Sequence, residues 1–196
     1  DYHMKIKASI DFSNDIPPSK GCMLLSEPFL DDPNFGRSTI LMCEHSAEES
    51  FGFVLNNPSS VQLNDLIDVA PKSIPVYIGG PVAQNNLFYL HTFQGIDSSE
   101  EIIPGLYFGG DLSELFSLIE ADNTLSKKAR FFVGYSGWSL GQLEQEVSER
   151  AWICVNNIPL ETLLSEPTSD LWRKCMALQG KQFQTFAIFP KNPQDN

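Results

Sequence analysis

The sequence predicts an α+β protein built on a large mixed β-sheet, and three observations support that prediction. Nine short runs of apolar, β-branched or aromatic residues, each bounded by Gly, Pro, Asn, Asp or Ser, are typical of strands. Four or five segments show helical periodicity, and they do not alternate strictly with the strand candidates as a parallel βαβ fold requires. At 196 residues, the chain is long enough to bury a core without a disulfide or a metal.

The strand candidates follow a polar, proline-bearing stretch at residues 1–20, which we interpret as an N-terminal lead-in. A single domain is expected over 21–190, with a C-terminal tail at 191–196. The core strands of the sheet are expected to include 38–44, 51–55, 75–79, 87–91 and 131–135. The runs are 22–26, 38–44, 51–55, 75–79, 87–91, 106–108, 131–135, 151–155 and 185–189.

Helices are expected where apolar residues recur on one side of a helical wheel. Two of these segments begin with a capping pattern, in which Asp or Ser is followed three residues later by Glu or Gln. A third ends at a glycine that can close a helix in the left-handed conformation. The expected helices are 63–67, 111–121 (Asp111 with Glu114), 139–149 (Ser139 with Gln142), 160–164 and 169–179 (ended by Gly180).

The charge of the chain argues against a nucleic-acid-binding surface. There are 25 acidic and 13 basic residues, for a net charge of −12, and no Lys or Arg lies between Lys72 and Lys127. Proteins that bind duplex DNA meet the phosphates with several Lys and Arg side chains. The short basic cluster at 127–130 is interpreted as a solvated turn. Direct DNA binding is therefore not expected.

Membrane and metal-binding classes are not indicated either. No apolar run has the length of a membrane span, and residues 1–11 lack a signal-peptide pattern. The four cysteines match no zinc spacing, and no histidine has a ligand partner close in sequence. We expect a cytoplasmic protein with buried free thiols, no metal, no cofactor and no membrane partner. The cysteines are Cys22, Cys43, Cys154 and Cys175.

Cys43 and His45 form the first motif that could carry chemistry. They stand two residues apart in a predicted strand, so both side chains would share a face and could form a Cys–His nucleophile. The alternative is a buried, inert cysteine that closes the strand before a surface histidine. We favour that alternative, because inert buried cysteines greatly outnumber catalytic ones.

A second motif joins Gly79, Gly80 and Pro81, and His91 follows after the next apolar run. Paired glycines after a strand could let backbone amides face an anion. No phosphate-binding glycine pattern follows them, however, so we favour a tight turn.

The third motif, residues 134–144, combines a strand end, several glycines and a helix start. Its outline resembles a nucleophile elbow around Ser136, but Trp138 stands where that motif needs its second glycine. A structural turn is therefore favoured over a catalytic serine. Other residues of interest in this segment are Tyr135, Gly137, Gln142 and Glu144.

Together these motifs resemble the YqgE/AlgH family of bacterial proteins. The similar segments follow the family's order over about residues 21–187, nearly the whole chain. Departures from the family pattern include Asn57, where an arginine is common, and the pair Glu49-Ser50, where small residues are usual. Ser136 and the pair Ser139-Leu140 also depart from it. The matching segments are 21–31, 43–45, 52–56, 79–82, 90–91, 134–138 and 141–146.

The resemblance implies an α+β fold with a bent, partly barrel-like sheet surrounded by helices. It also implies a label of transcriptional regulator without an agreed mechanism, and family membership is only an analogy for function. Our preferred interpretation is a non-enzymatic cytosolic module that binds a small molecule or a protein and regulates indirectly. The alternatives are a DNA-binding regulator and an enzyme that uses His45, His91, Asn56 or Ser136.

We expect a functional surface around glycine turns at 79–80 and 134–137, because such turns let backbone amides approach a ligand closely. No catalytic residue and no oligomeric state is specified by the sequence. The polar residues expected at this surface are Arg37, His45, Asn56, His91, Tyr135, Gln142 and Glu144, with Gly79, Gly80, Pro81, Gly137 and Trp138 beside them.

Overall fold

The computed structural model describes residues 16–28 and 36–180, and its centre is a ten-stranded sheet. The expected strand at 185–189, the tail at 191–196 and most of the lead-in lie outside the described residues. The strands are β1 (Met23–Ser26), β2 (Thr39–His45), β3 (Ser50–Val54), β4 (Pro58–Gln62), β5 (Pro75–Ile78), β6 (Val82–His91), β7 (Glu100–Ile103), β8 (Leu106–Phe108), β9 (Ala129–Trp138) and β10 (Trp152–Val155).

Five α-helices and two short 3-10 helices accompany the described strands. The helix capped by Asp111 forms as predicted, and the Asp111 side chain accepts a hydrogen bond from the Glu114 backbone amide. The α-helices are α1 (Leu63–Leu66), α2 (Leu112–Ala121), α3 (Gln142–Ser148), α4 (Leu160–Leu163) and α5 (Leu171–Ala177), and the 3-10 helices are Asn123–Lys128 and Thr168–Asp170.

The strand order confirms the predicted α+β class with a large mixed sheet. Antiparallel neighbours run in the order β10-β1-β2-β3-β9-β6-β8-β7, with β4 paired to β5. Strand β5 joins β9 in the parallel direction, which makes the sheet mixed. Strands β10 and β7 end the order without pairing to each other, so the sheet is not closed into a barrel.

Both faces of the central strands are covered. On one face, Leu41 and Phe53 pack in a buried cluster with Trp172 of α5. On the other face, Met42 belongs to a cluster that includes Leu143 of α3. Helix α3 therefore lies over the β2–β3 hairpin, and this packing brings its exposed residues close to the hairpin turn.

The predicted turn at 134–137 is wrong, because β9 continues through these residues to Trp138. Gly134 has a φ of 74°, which accommodates an irregular pairing with β6 inside the strand. The following helix begins at Gln142 rather than at 139. Its N-cap is Gly141 in the left-handed conformation, while Ser139 binds the Gln142 side chain instead of capping the helix.

The four cysteines are free thiols, and all four are buried, as expected. Burial raises the pKa of Cys175 to about 12 and raises the pKa of Cys43 still further. Both thiols are therefore protonated and weakly nucleophilic at neutral pH. Within residues 16–28 and 36–180, no group of three His, Cys, Asp or Glu side chains is placed to hold a metal. No helix in this part of the chain is both long and apolar enough to cross a membrane.

Candidate functional site

A β-bulge at the end of β2 determines where His45 lies. The register with β3 shifts between Met42 and Glu44, which leaves Cys43 as an extra residue. One extra residue reverses the alternation of side chains between the two faces. Cys43 packs into the core cluster on the α5 side, whereas His45 lies opposite Ser50 on the α3 side. The expectation that Cys43 and His45 share a face is therefore wrong.

Both ring nitrogens of His45 are hydrogen-bonded to side chains. Nδ1 lies 2.7 Å from Ser50 Oγ, and Nε2 lies 2.8 Å from Glu144 Oε1. A neutral ring with its proton on Nε2 donates to the carboxylate and accepts the Ser50 hydroxyl proton. The His45 side chain is 15% exposed and that of Glu144 is 53% exposed. The His45 ring is therefore held in one orientation, while the Glu144 side chain is exposed to solvent.

This cluster opens onto a cavity of about 260 Å³ between the β2–β3 turn and the start of α3. His45, Ser50 and Trp138 line its buried side. Leu140, which is 82% exposed, lies at its outer side with three carboxylates. These carboxylates belong to Glu48, Glu49 and Glu144, and no Lys or Arg is among the described residues that line the cavity.

Glu146 fixes α3 to the sheet next to the cavity. Its Oε1 accepts hydrogen bonds from Trp138 Nε1 at 3.1 Å and from Trp152 Nε1 at 3.0 Å. Its Oε2 accepts from Gln142 Nε2 at 3.0 Å. The two indole rings meet edge to face. Because Glu144 is on the same helix, this anchor also determines where Glu144 meets His45.

Arg37 and Asn56 belong to a different part of the molecule. Asn56 Oδ1 accepts from the Thr39 amide, and Asn56 Nδ2 donates to the Arg37 carbonyl, both at 3.0 Å. The Arg37 guanidinium lies 4.8 Å from the centre of the Trp172 ring. These contacts tie the start of β2 to the end of β3 and to α5.

His91 is fully buried, and its ring supports the chain around β8. Phe93 N donates to Nδ1 at 3.2 Å, so the ring proton is on Nε2 and is donated to the Gly109 carbonyl at 2.8 Å. The ring also stacks on Tyr107. Burial lowers the pKa of His91, which keeps the ring neutral.

Gly79 and Gly80 lie where strands approach each other closely. The Gly79 amide donates to Val133 O, and its carbonyl accepts from Val54 N and from Ser136 Oγ. A Cβ on Gly80 would overlap the backbone carbonyl of Tyr135. These glycines therefore serve strand pairing, and the Gly79 amide is not available to an anion.

The remaining predicted residues near β9 also make local contacts. Ser136 is buried within the strand, so the nucleophile-elbow outline does not form. The Tyr135 ring packs edge to face against Phe51 and Phe88. Gly137 pairs with Phe51 of β3, and Pro81 is exposed.

The structure thus brings part of the predicted surface together. His45, Trp138 and Glu144 line the cavity, and Gln142 is linked to Glu146 one helical turn further on. Sequence reasoning missed Ser50, although a short turn after His45 could have indicated that the two residues face each other in a hairpin.

The structural class is an open, mixed α+β sheet with a small cavity between the β2–β3 turn and the start of α3. A family model described as AlgH-like matches residues 23–184. The chain therefore belongs to the AlgH-like family, which confirms the resemblance noted from its motifs.

Relatives and solved structures agree with this assignment. The chain is 39% identical to UPF0301 proteins of Bacteroides fragilis and Bacteroides thetaiotaomicron, over 94% of this chain and 94% of each relative. It is similar to the crystal structure of protein DIP2367 from Corynebacterium diphtheriae, with a TM-score of 0.74 and 28% identity over 89% of this chain and 94% of that one. The chain is also similar to the solution structure of AlgH from Pseudomonas aeruginosa. The TM-score is 0.67, and the identity is 26% over 89% of this chain and 98% of that one.

Proposed function

We propose that this protein is a binding module for a small molecule, with the His45 cavity as its ligand site. The observation that carries the proposal is the convergence of His45, Ser50 and Glu144 on one open cavity. Ligand sites are concave and combine apolar walls with a few placed polar groups. Trp138 and Leu140 supply the apolar part of this lining.

The size and charge of the cavity narrow the ligand class. About 260 Å³ is below the usual range of roughly 300–1,000 Å³ for ligand pockets, so the ligand, or the part of it that enters, is the size of an amino-acid side chain. Glu48, Glu49 and Glu144 make the surroundings negative. An uncharged or cationic group is therefore favoured, and an anion is repelled.

This proposal includes a cytoplasmic location and regulation that acts indirectly, through the bound ligand. The DNA-binding alternative is disfavoured by the helix beside the cavity, because α3 carries Glu144 and Glu146 and is followed by Glu149. These carboxylates would repel a phosphate backbone. Fluorescence anisotropy with promoter DNA from the host should show no tight, specific binding across a salt series. Nanomolar, sequence-dependent binding that weakens steeply with salt would restore the regulator interpretation.

Native mass spectrometry of the protein purified from its own host tests the proposal. We expect a small bound mass in the wild type, its loss in His45→Ala, and its retention in Ser117→Ala, an exposed substitution on α2. A bound mass that survives in His45→Ala would place the ligand elsewhere. A bound protein in place of a small molecule would favour the protein-partner form of the binding module.

A further inference from the structure

We propose that Ser50, His45 and Glu144 form a catalytic triad, with which the protein hydrolyses small uncharged or cationic carboxylic esters. The inference rests on the His45 cavity as the ligand site and adds a chemical step to binding.

The distances meet the requirements of nucleophilic catalysis. A serine is activated by a base within about 2.6–3.2 Å, and the base is oriented by a third group. Ser50 Oγ lies 2.7 Å from His45 Nδ1, and Glu144 Oε1 lies 2.8 Å from His45 Nε2. The three side chains come from β3, β2 and α3, so the fold rather than the local sequence assembles them.

The surroundings of His45 differ from those of a structural histidine in the same molecule. His91 is fully buried, and its ring bonds the backbone of Phe93 and Gly109 and lies 3.1 Å from Ser99 Oγ. The two partners of His45, in contrast, line an open cavity, and one of them is a carboxylate. A substrate that enters the cavity can therefore reach the serine and the base together.

The reaction balances with water as the only co-reactant. Ser50 Oγ attacks the ester carbonyl carbon and its proton moves to His45 Nδ1, while Nε2–H continues to donate to Glu144. The ester C–O bond then breaks, and the alcohol leaves with the proton from Nδ1. Water attacks the acyl-serine and gives a proton to Nδ1. The carboxylic acid is released as that proton returns to Ser50 Oγ.

The cavity lining sets the substrate class. Its three carboxylates repel an anionic ester, and its volume admits a group of side-chain size. Arginine methyl ester is not anionic, because its side chain is cationic and its ester group carries no charge. It is therefore a suitable test substrate.

An uncharged fluorophosphonate probe, followed by peptide mapping, tests for the nucleophile. We expect labelling at Ser50 in the wild type and none in Ser50→Ala, which removes a single oxygen atom. Hydrolysis of arginine methyl ester should fall by about 10³-fold or more in Ser50→Ala and in His45→Ala. Glu144→Gln should lower it by at least about tenfold, because the base loses its charged partner.

Ser117→Ala serves as the matched control, since this serine is exposed on α2. It should keep wild-type labelling and wild-type hydrolysis. Labelling of a different residue, or undiminished hydrolysis by Ser50→Ala, would overturn the triad. If arginine amide binds at the cavity while Ser50 is not labelled and arginine methyl ester is not hydrolysed, the triad proposal is wrong and the binding-module proposal stands. If arginine amide does not bind either, both proposals are wrong.

Discussion

Replacing Glu146 with alanine should destabilise the protein and loosen α3, whose first turn borders the cavity. The Glu146 carboxylate accepts both indole N–H groups, and Trp138 and Trp152 are only 8% and 3% exposed. The Glu146→Ala variant lacks this carboxylate, so both indole N–H groups lose the hydrogen bond that they make to it. The variant therefore loses interactions in the core as well as on the surface.

The magnitude follows from the two lost hydrogen bonds. A hydrogen bond to a charged group contributes about 1.5–3 kcal/mol, and the lower end applies because Glu146 is half-buried. We therefore expect a loss of about 3 kcal/mol in the free energy of unfolding. For a domain of this size, that corresponds to a fall in Tm of roughly 6–12 °C.

Urea unfolding followed by tryptophan fluorescence measures this change directly. Glu149→Ala is the matched control, because Glu149 follows the same helix and its exposed carboxylate accepts a hydrogen bond from the exposed Gln145 side chain. The control should lose less than about 0.5 kcal/mol. A Glu146→Ala variant as stable as Glu149→Ala would refute the view that this carboxylate anchors α3.

Two further predictions concern residues outside the His45 cavity. Because burial lowers the pKa of His91, the unfolded chain binds a proton there more tightly, and stability should fall as the pH drops below about 6.5. His91→Gln should lack this pH-dependent contribution. Its loss in free energy of unfolding, relative to the wild type, should therefore become smaller as the pH falls from about 7.5 to about 5. A loss that stays constant in urea titrations over this range would contradict the lowered pKa of His91. Gly80→Ala should cost about 3 kcal/mol or more, because its Cβ would overlap the Tyr135 carbonyl. Gly95→Ala, which meets no atom within 4 Å but has a φ of 87°, should cost about 1 kcal/mol, and equal losses in thermal unfolding would refute the close-packing argument.

Elements with a strong local signal were predictable. The helix capped by Asp111 and the apolar strands of the core lie where periodicity and capping place them. Strands β4 and β7 were not predicted, because Pro58–Gln62 and Glu100–Ile103 alternate too few apolar residues to be distinguished from loops. Their pairing partners, β5 and β8, stabilise them through backbone hydrogen bonds that no local pattern reveals.

The site was predictable only in part, for a comparable reason. A one-residue bulge at Cys43 moves His45 to the face covered by α3, and no local rule indicates such a bulge. The glycines near Ser136 predicted a turn there, but pairing with β3 extends β9 through it. Ser50 and Glu144 are 94 positions apart in the chain, so only the packing of α3 on the hairpin brings them to one histidine.

Binding at the His45 cavity is tested most directly by titrating isotope-labelled protein with arginine amide, a cationic probe that carries no ester, and recording ¹H–¹⁵N spectra. The account predicts concentration-dependent shifts confined to the amides of residues 45–50 and 138–144, and their loss in Glu144→Ala, which removes the carboxylate beside His45. Unchanged spectra at millimolar probe, or shifts that cluster instead around His91 or Arg37, would contradict the claim that this cavity is the ligand site.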